Sequence, residues 1–189
     1  LAMALYKMNI ILVRTLASDA DAGIYAAAVQ WTEFTWLIPI AIEGVMLQTT
    51  SHLWAEQRIS EIAGLLARLL RYTALATGFL LLFVFVFADH ILLLYFGPQF
   101  VDASTSLRIL IPGVFSFSLA KVVWPVIQAR GSVLRLVTII GVACVVNLSL
   151  SLLFIPKWQA TGAAIATSIS YGGVVFFYAW LVRCHGIQA

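Results

Sequence analysis

The sequence predicts an all-α protein, a polytopic membrane bundle of six helical spans, and composition and run length are what predict it. Hydrophobic residues make up 62% of the 189 residues against 10% charged, and the mean hydropathy is +1.02. These values lie far from a soluble globular domain. The apolar residues gather in runs of about 20, the length a helix needs to cross a bilayer, and the ~10-residue alternating segments of a transmembrane β-barrel are absent.

The spans follow in order. The first, about 1–17, is already under way at Leu1 with no initiator Met, so a preceding part is expected to be missing and no signal peptide can be judged. The second, about 23–50, contains Pro39, which removes a backbone donor and predicts a bend. Segment 56–72 repeats Ile59, Ile62, Ala63, Leu66 and Leu70 at helical spacing, with Arg58, Glu61, Arg68 and Arg71 mostly opposite. This predicts an amphipathic interfacial helix with arginines toward lipid phosphates; a cytoplasmic extension of the neighbouring spans is the competing reading. The third span is about 70–88 and the fourth about 106–129, whose Pro112 and Pro125 lie near its ends, where membrane helices tolerate proline. The fifth is about 133–155. The sixth, about 160–182, opens on Thr161, Gly162, Ala163, Ala164 and Ala166, small residues that let helix backbones approach and so predict packing more than substrate contact.

Arginines orient the bundle. Arg58, Arg68, Arg71, Arg130, Arg135 and Arg183 fall at alternate connections or ends, whereas Asp19, Asp21, Asp89 and Asp102 fall between them; only Lys157 and Arg108 break the pattern. The positive-inside rule then predicts a cytoplasmic start, six crossings and a cytoplasmic C-terminus. The net charge of +3 reflects this topology and contact with anionic membrane lipids, not nucleic acid.

Five ionisable side chains interrupt the spans: Lys7, Arg14, Glu33, Glu43 and Lys121. Charge in hydrocarbon is costly and usually faces a protein-lined cavity. At 1.5 Å per residue, Lys7 and Glu33 lie roughly 15 Å from the outer ends of their spans and Lys121 roughly 12 Å from the cytoplasmic end of its own, so these three are the expected substrate-cavity residues. Arg14 and Glu43 are near enough to an interface to snorkel and are secondary candidates. Asn147, mid-span, is expected in an interhelical hydrogen bond. Nothing assembles a nucleophile with a base, a metal-spaced carboxylate pair or a phosphate loop, so no catalytic residue, metal or cofactor is expected. His52, His90 and His185 are scattered, and Cys144 and Cys184 give no ligand spacing.

Three stretches carry a resemblance. Ala22-Gly23-Ile24-Tyr25-Ala26-Ala27-Ala28 is similar to the "vGxYxxA" stretch of polysaccharide biosynthesis membrane proteins, the oligosaccharide-lipid flippases of the multidrug/oligosaccharidyl-lipid/polysaccharide exporter superfamily. Tyr95-Phe96-Gly97-Pro98-Gln99-Phe100 with Leu107-Arg108-Ile109-Leu110 resembles their "lyGxeF…LriL" segment, and Gln159 to Thr167 their "GaxGAAxAT" entry to a late span. Gln159 replaces a glycine, Gln99 replaces an acid, and the first span offers Asn9 but no carboxylate.

The resemblance implies the C-terminal six-helix half of a two-bundle transporter in a bacterial or archaeal cytoplasmic (inner) membrane. It implies flipping of a polyprenyl-diphosphate-linked oligosaccharide by alternating access for surface polysaccharide biosynthesis, with the N-terminal half as the missing partner and no enzymatic chemistry. Lys7 and Lys121 would meet the diphosphate, and Glu33 would hold one of them when no substrate is bound or respond to a coupling ion. The alternatives are a drug or metabolite exporter of the same superfamily, with aromatic and acidic residues in its cavity, and a non-transporting membrane scaffold subunit.

Overall fold

The computed structural model describes residues 2–129 and 133–184, and among these every regular element is helical. Arg130 and His185 lie outside the described residues. The helices are α1 (Ala2–Leu16), α2 (Asp19–Thr35), α3 (Leu37–Ala55), α4 (Ile59–Phe96), α5 (Ala103–Ala129) and α6 (Val133–Cys184), with a single 3-10 turn, Pro98–Phe100, between α4 and α5. Among the described residues, three segments are long and apolar enough to cross a membrane: Ile59–Phe96, Ala103–Ala129 and Leu136–Tyr178. Large apolar side chains such as Phe79, Leu94 and Phe176 stand exposed on the outside of the bundle, as expected where lipid is the solvent.

Local chemistry explains the breaks. Ser18 caps α2 by accepting the Asp21 amide at 3.0 Å, a Ser-x-x-acid capping arrangement. Pro39 has no N–H for the Thr35 carbonyl and its ring crowds that turn, so the expected second span is two helices that part at Trp36 (φ −80, ψ −9). Thr32 and Thr35 donate their hydroxyls to the Val29 and Thr32 carbonyls, taking up acceptors in the last turn before the break. Pro112 and Pro125 lie inside α5 without dividing it.

Although α6 is continuous by hydrogen bonding, its backbone leaves the helical region at Gln159 (φ 50, ψ −127). A methyl group on Gly162 would run into the Phe154 carbonyl, and residues eight apart meet in this way only where the chain turns back. The two arms of α6 are therefore the fifth and sixth spans of the sequence. The turn forms without the glycine that the resemblance puts at 159, at the expense of a left-handed conformation on a side chain that disfavours it.

α5 is the central helix and packs against α2, α3, α4 and both arms of α6. It touches the second arm closely: Ser168 donates its hydroxyl to the Ile109 carbonyl at 2.5 Å, beside Pro112, and the absent side chain of Gly113 admits the Ser168 backbone. Segment 56–72 becomes helical at Ile59 and runs unbroken into the next span. Its apolar face is turned onto protein, with Ile62 and Leu66 buried against Met46 of α3 and Val122 and Val126 of α5. Arg58, at the start, bonds both Glu56 and Glu61, whose carboxylates raise its pKa above the ordinary guanidinium value.

Candidate substrate-facing site

Of the expected cavity residues, the structure brings one into a charged pair, with a partner the sequence placed elsewhere. Lys121 Nζ lies 3.5 Å from Glu43 Oε2, with side-chain exposures of 17% and 33%. Glu33, expected to hold a cation, sits half-buried near the end of α2, and among the described residues neither it nor Lys7 is in an ion pair. Beyond the break at Trp36, α3 packs against α5 and brings Glu43, a secondary candidate in the sequence, to Lys121.

The pair rests on aromatic rings. Lys121 Nζ is 5.2 Å from the centre of the Trp36 ring and 6.0 Å from that of Phe117, within cation–π range. Trp36, Phe117, Tyr6 and Tyr171 form one cluster, with Phe117 stacked on Tyr171 at 4.4 Å and Tyr6 against Trp36 at 5.5 Å. A half-open cleft of about 200 Å³ lies beside it, lined by Glu43, Lys121, Phe117, Trp124 and Tyr178 among others. Cation, carboxylate and aromatic side chains thus line one opening.

On α1, Tyr6, Asn9 and Val13 point into the bundle, whereas Lys7, Ile11 and Arg14 form an exposed stripe at helical spacing. Arg14 is held by Asp19 at 2.6 Å across the turn into α2. Lys7 is left facing outward from the bundle.

Asn9 organises a polar hub that sequence reasoning did not anticipate. Its Nδ2 donates to Thr167 Oγ1 at 2.9 Å and its Oδ1 accepts from Ser151 Oγ at 3.0 Å. Ser151 and Thr167 are on opposite arms of α6, so α1 staples the hairpin. Because Thr167 spends its proton on the Ala163 carbonyl, Tyr25 donates to Thr167 across 3.0 Å. Asn147 does not make the expected interhelical bond: it is fully buried and both its side-chain polar atoms lack partners among the described residues. Neither is any group of three His, Cys, Asp or Glu among the described residues arranged to hold a metal ion.

The three resemblance stretches meet in space. Gly23 of the first packs against the Phe100 ring of the second, 3.8 Å from where its Cβ would stand, and Tyr25 of the first bonds Thr167 of the third. The second also carries Arg108, which pairs with Asp89 at 2.7 Å and reaches the Phe85 carbonyl, tying α5 to α4. The family described as lipid II flippase MurJ matches the chain over residues 1–189. No curated protein matches it.

Proposed function

The chain belongs to the lipid II flippase family MurJ, and from that membership we propose that its substrate is lipid II, a polyprenyl-diphosphate-linked saccharide, carried between the two leaflets. The family consists of membrane transporters, not enzymes. The observation that carries the reading is the Lys121–Glu43 pair, open to a cleft in the bundle, since charge held at such a place marks a polar path. Sugars and diphosphate need that path, while the polyprenyl tail stays in the bilayer.

In this reading the bundle is one of two that rock about a shared cavity, and the C-terminus is cytoplasmic. The first position is supported by the outward stripe of Lys7 and Arg14, and the second by Arg58, Arg68 and Arg71 at one connection. Lys7, without a counter-ion among the described residues, meets the diphosphate. Lys121 and Glu43 form a neutral polar wall, and Glu33 lies beside the break that positions Trp36.

The test is translocation of fluorescent lipid II by the protein reconstituted in vesicles, read as protection from a membrane-impermeant quencher. Wild type is expected to exceed protein-free vesicles, and Lys7→Gln to slow transfer about tenfold, the loss of one charge-assisted contact. Failure of the wild type to move lipid II would overturn the reading, and an undiminished Lys7→Gln rate would remove Lys7 from it.

A further inference from the structure

Resting on the flippase reading, we propose that the Lys121–Glu43 cleft is the subsite for one sugar ring of the lipid-linked substrate, and that it does not take the diphosphate. Charge argues first. Lys121 is already neutralised by Glu43 at 3.5 Å and engaged by the Trp36 and Phe117 rings. A diphosphate entering here would meet the Glu43 carboxylate as closely as the ammonium, and like charge at contact distance opposes binding.

Size and chemistry argue next. The cleft holds about 200 Å³, below the ~300–1,000 Å³ of sites for whole drug-sized ligands, so it suits a single ring-sized group. Its walls combine the aromatic side chains of Trp124, Phe117 and Tyr178 with an acceptor-only carboxylate and a donor-only ammonium. A pyranose needs that combination: C–H faces to lie on aromatic rings, and hydroxyls that both donate and accept. The Trp124 ring is fixed by donating Nε1 to Gln128 Oε1 at 2.8 Å, and it stands edge-on to Tyr178 at 6.2 Å.

One buried group points independently to a polar ligand. Tyr178 OH, on the cleft lining, has no partner among the described residues. A buried donor of this kind is normally satisfied. A ring hydroxyl in the cleft supplies a partner to Tyr178 after a small rotation of the phenol.

The experiment compares binding of two probes to the whole protein in lipid nanodiscs: lipid II, and polyprenyl diphosphate carrying no sugar. The variants are Trp124→Leu, which keeps apolar bulk but loses the flat face, and Trp124→Phe, which keeps a face. The expected result is an approximately tenfold loss of lipid II affinity in Trp124→Leu, largely restored in Trp124→Phe, with the sugar-free probe unaffected by either. Equal weakening of both probes in Trp124→Leu would assign the cleft to the diphosphate or to folding, and no weakening of lipid II would exclude it as a subsite; either overturns the proposal. If wild type binds the sugar-free probe and lipid II equally, the sugar subsite fails while the flippase reading stands; if it binds neither, the flippase reading itself fails.

Discussion

Replacing Gly113 by alanine drives a methyl group into the backbone of the neighbouring helix. The added Cβ would stand 2.5 Å from Ser168 Cα, 2.9 Å from Ser168 Oγ and 3.0 Å from Ser168 Cβ. Carbon atoms sit comfortably at about 3.5–4.0 Å, so α5 and the second arm of α6 must part by about 1 Å. No rotamer change relieves the clash, because the nearest atom belongs to the main chain. Parting also stretches the 2.5 Å bond from Ser168 to the Ile109 carbonyl. Overpacking costs about 1–3 kcal/mol, and the hydrogen bond adds about 1 kcal/mol. Alanine returns about 1 kcal/mol of helix propensity. The net expectation is a loss of about 1–3 kcal/mol, measured by equilibrium unfolding in mixed micelles titrated with denaturing detergent. Gly141→Ala is the control: nothing lies within 4 Å of its added Cβ, and it is expected to be neutral or stabilising by up to about 1 kcal/mol. The reasoning is refuted if Gly113→Ala unfolds no more easily than wild type, or if both variants lose the same amount.

Other consequences can be checked in the same system. Asn9→Leu removes both bonds that join α1 to the arms of α6 and should cost about 1–2 kcal/mol, with Ser151→Ala costing less in the Asn9→Leu background than in wild type; equal costs in the two backgrounds would refute the shared bond. Glu43→Gln leaves Lys121 without its counter-charge; because both groups are partly exposed, about 1–2 kcal/mol is expected, short of the ~3–5 kcal/mol for a fully buried pair. Lys121→Met in the Glu43→Gln background should recover most of that loss, and a strictly additive double variant would refute the coupling. Gln159→Gly should stabilise by about 1 kcal/mol, since glycine tolerates the φ of 50 held there; an unchanged unfolding midpoint would count against strain at that turn.

Period and run length were enough to read the helical class, because it follows from how much apolar surface each residue presents. Side-chain partnerships were less readable. Glu43 and Lys121 are 78 positions apart in sequence, and their meeting depends on the direction in which Pro39 and Trp36 throw α3. Pro39 announced a bend but not its direction. Similarly, Asn9 read as one isolated amide, since Ser151 and Thr167 become neighbours only once the turn at Gln159 folds one arm onto the other. A usable signal did exist for segment 56–72: its apolar stripe was visible, yet a stripe of that width fits lipid or protein equally, and only the positions of Met46, Val122 and Val126 decided for protein. Trp36 carried no signal of its own, being one of six tryptophans in an aromatic-rich chain.

The uninterrupted length of α4 has a mechanical consequence. Its 38 residues extend about 57 Å at 1.5 Å per residue, nearly twice the ~30 Å hydrocarbon thickness. Such a rod acts as a lever: a tilt of about 10° moves a point ~30 Å from the pivot by about 5 Å. The lever's first turns are geared to the end of α3 through Leu53, Trp54, Ile62 and Leu66, and α3 carries Glu43. Force applied at the exposed Arg68 and Arg71 of α4, by anionic lipid or by a neighbouring protein, would therefore reach the charged pair as displacement, which gives the cleft a mechanical input distinct from the substrate.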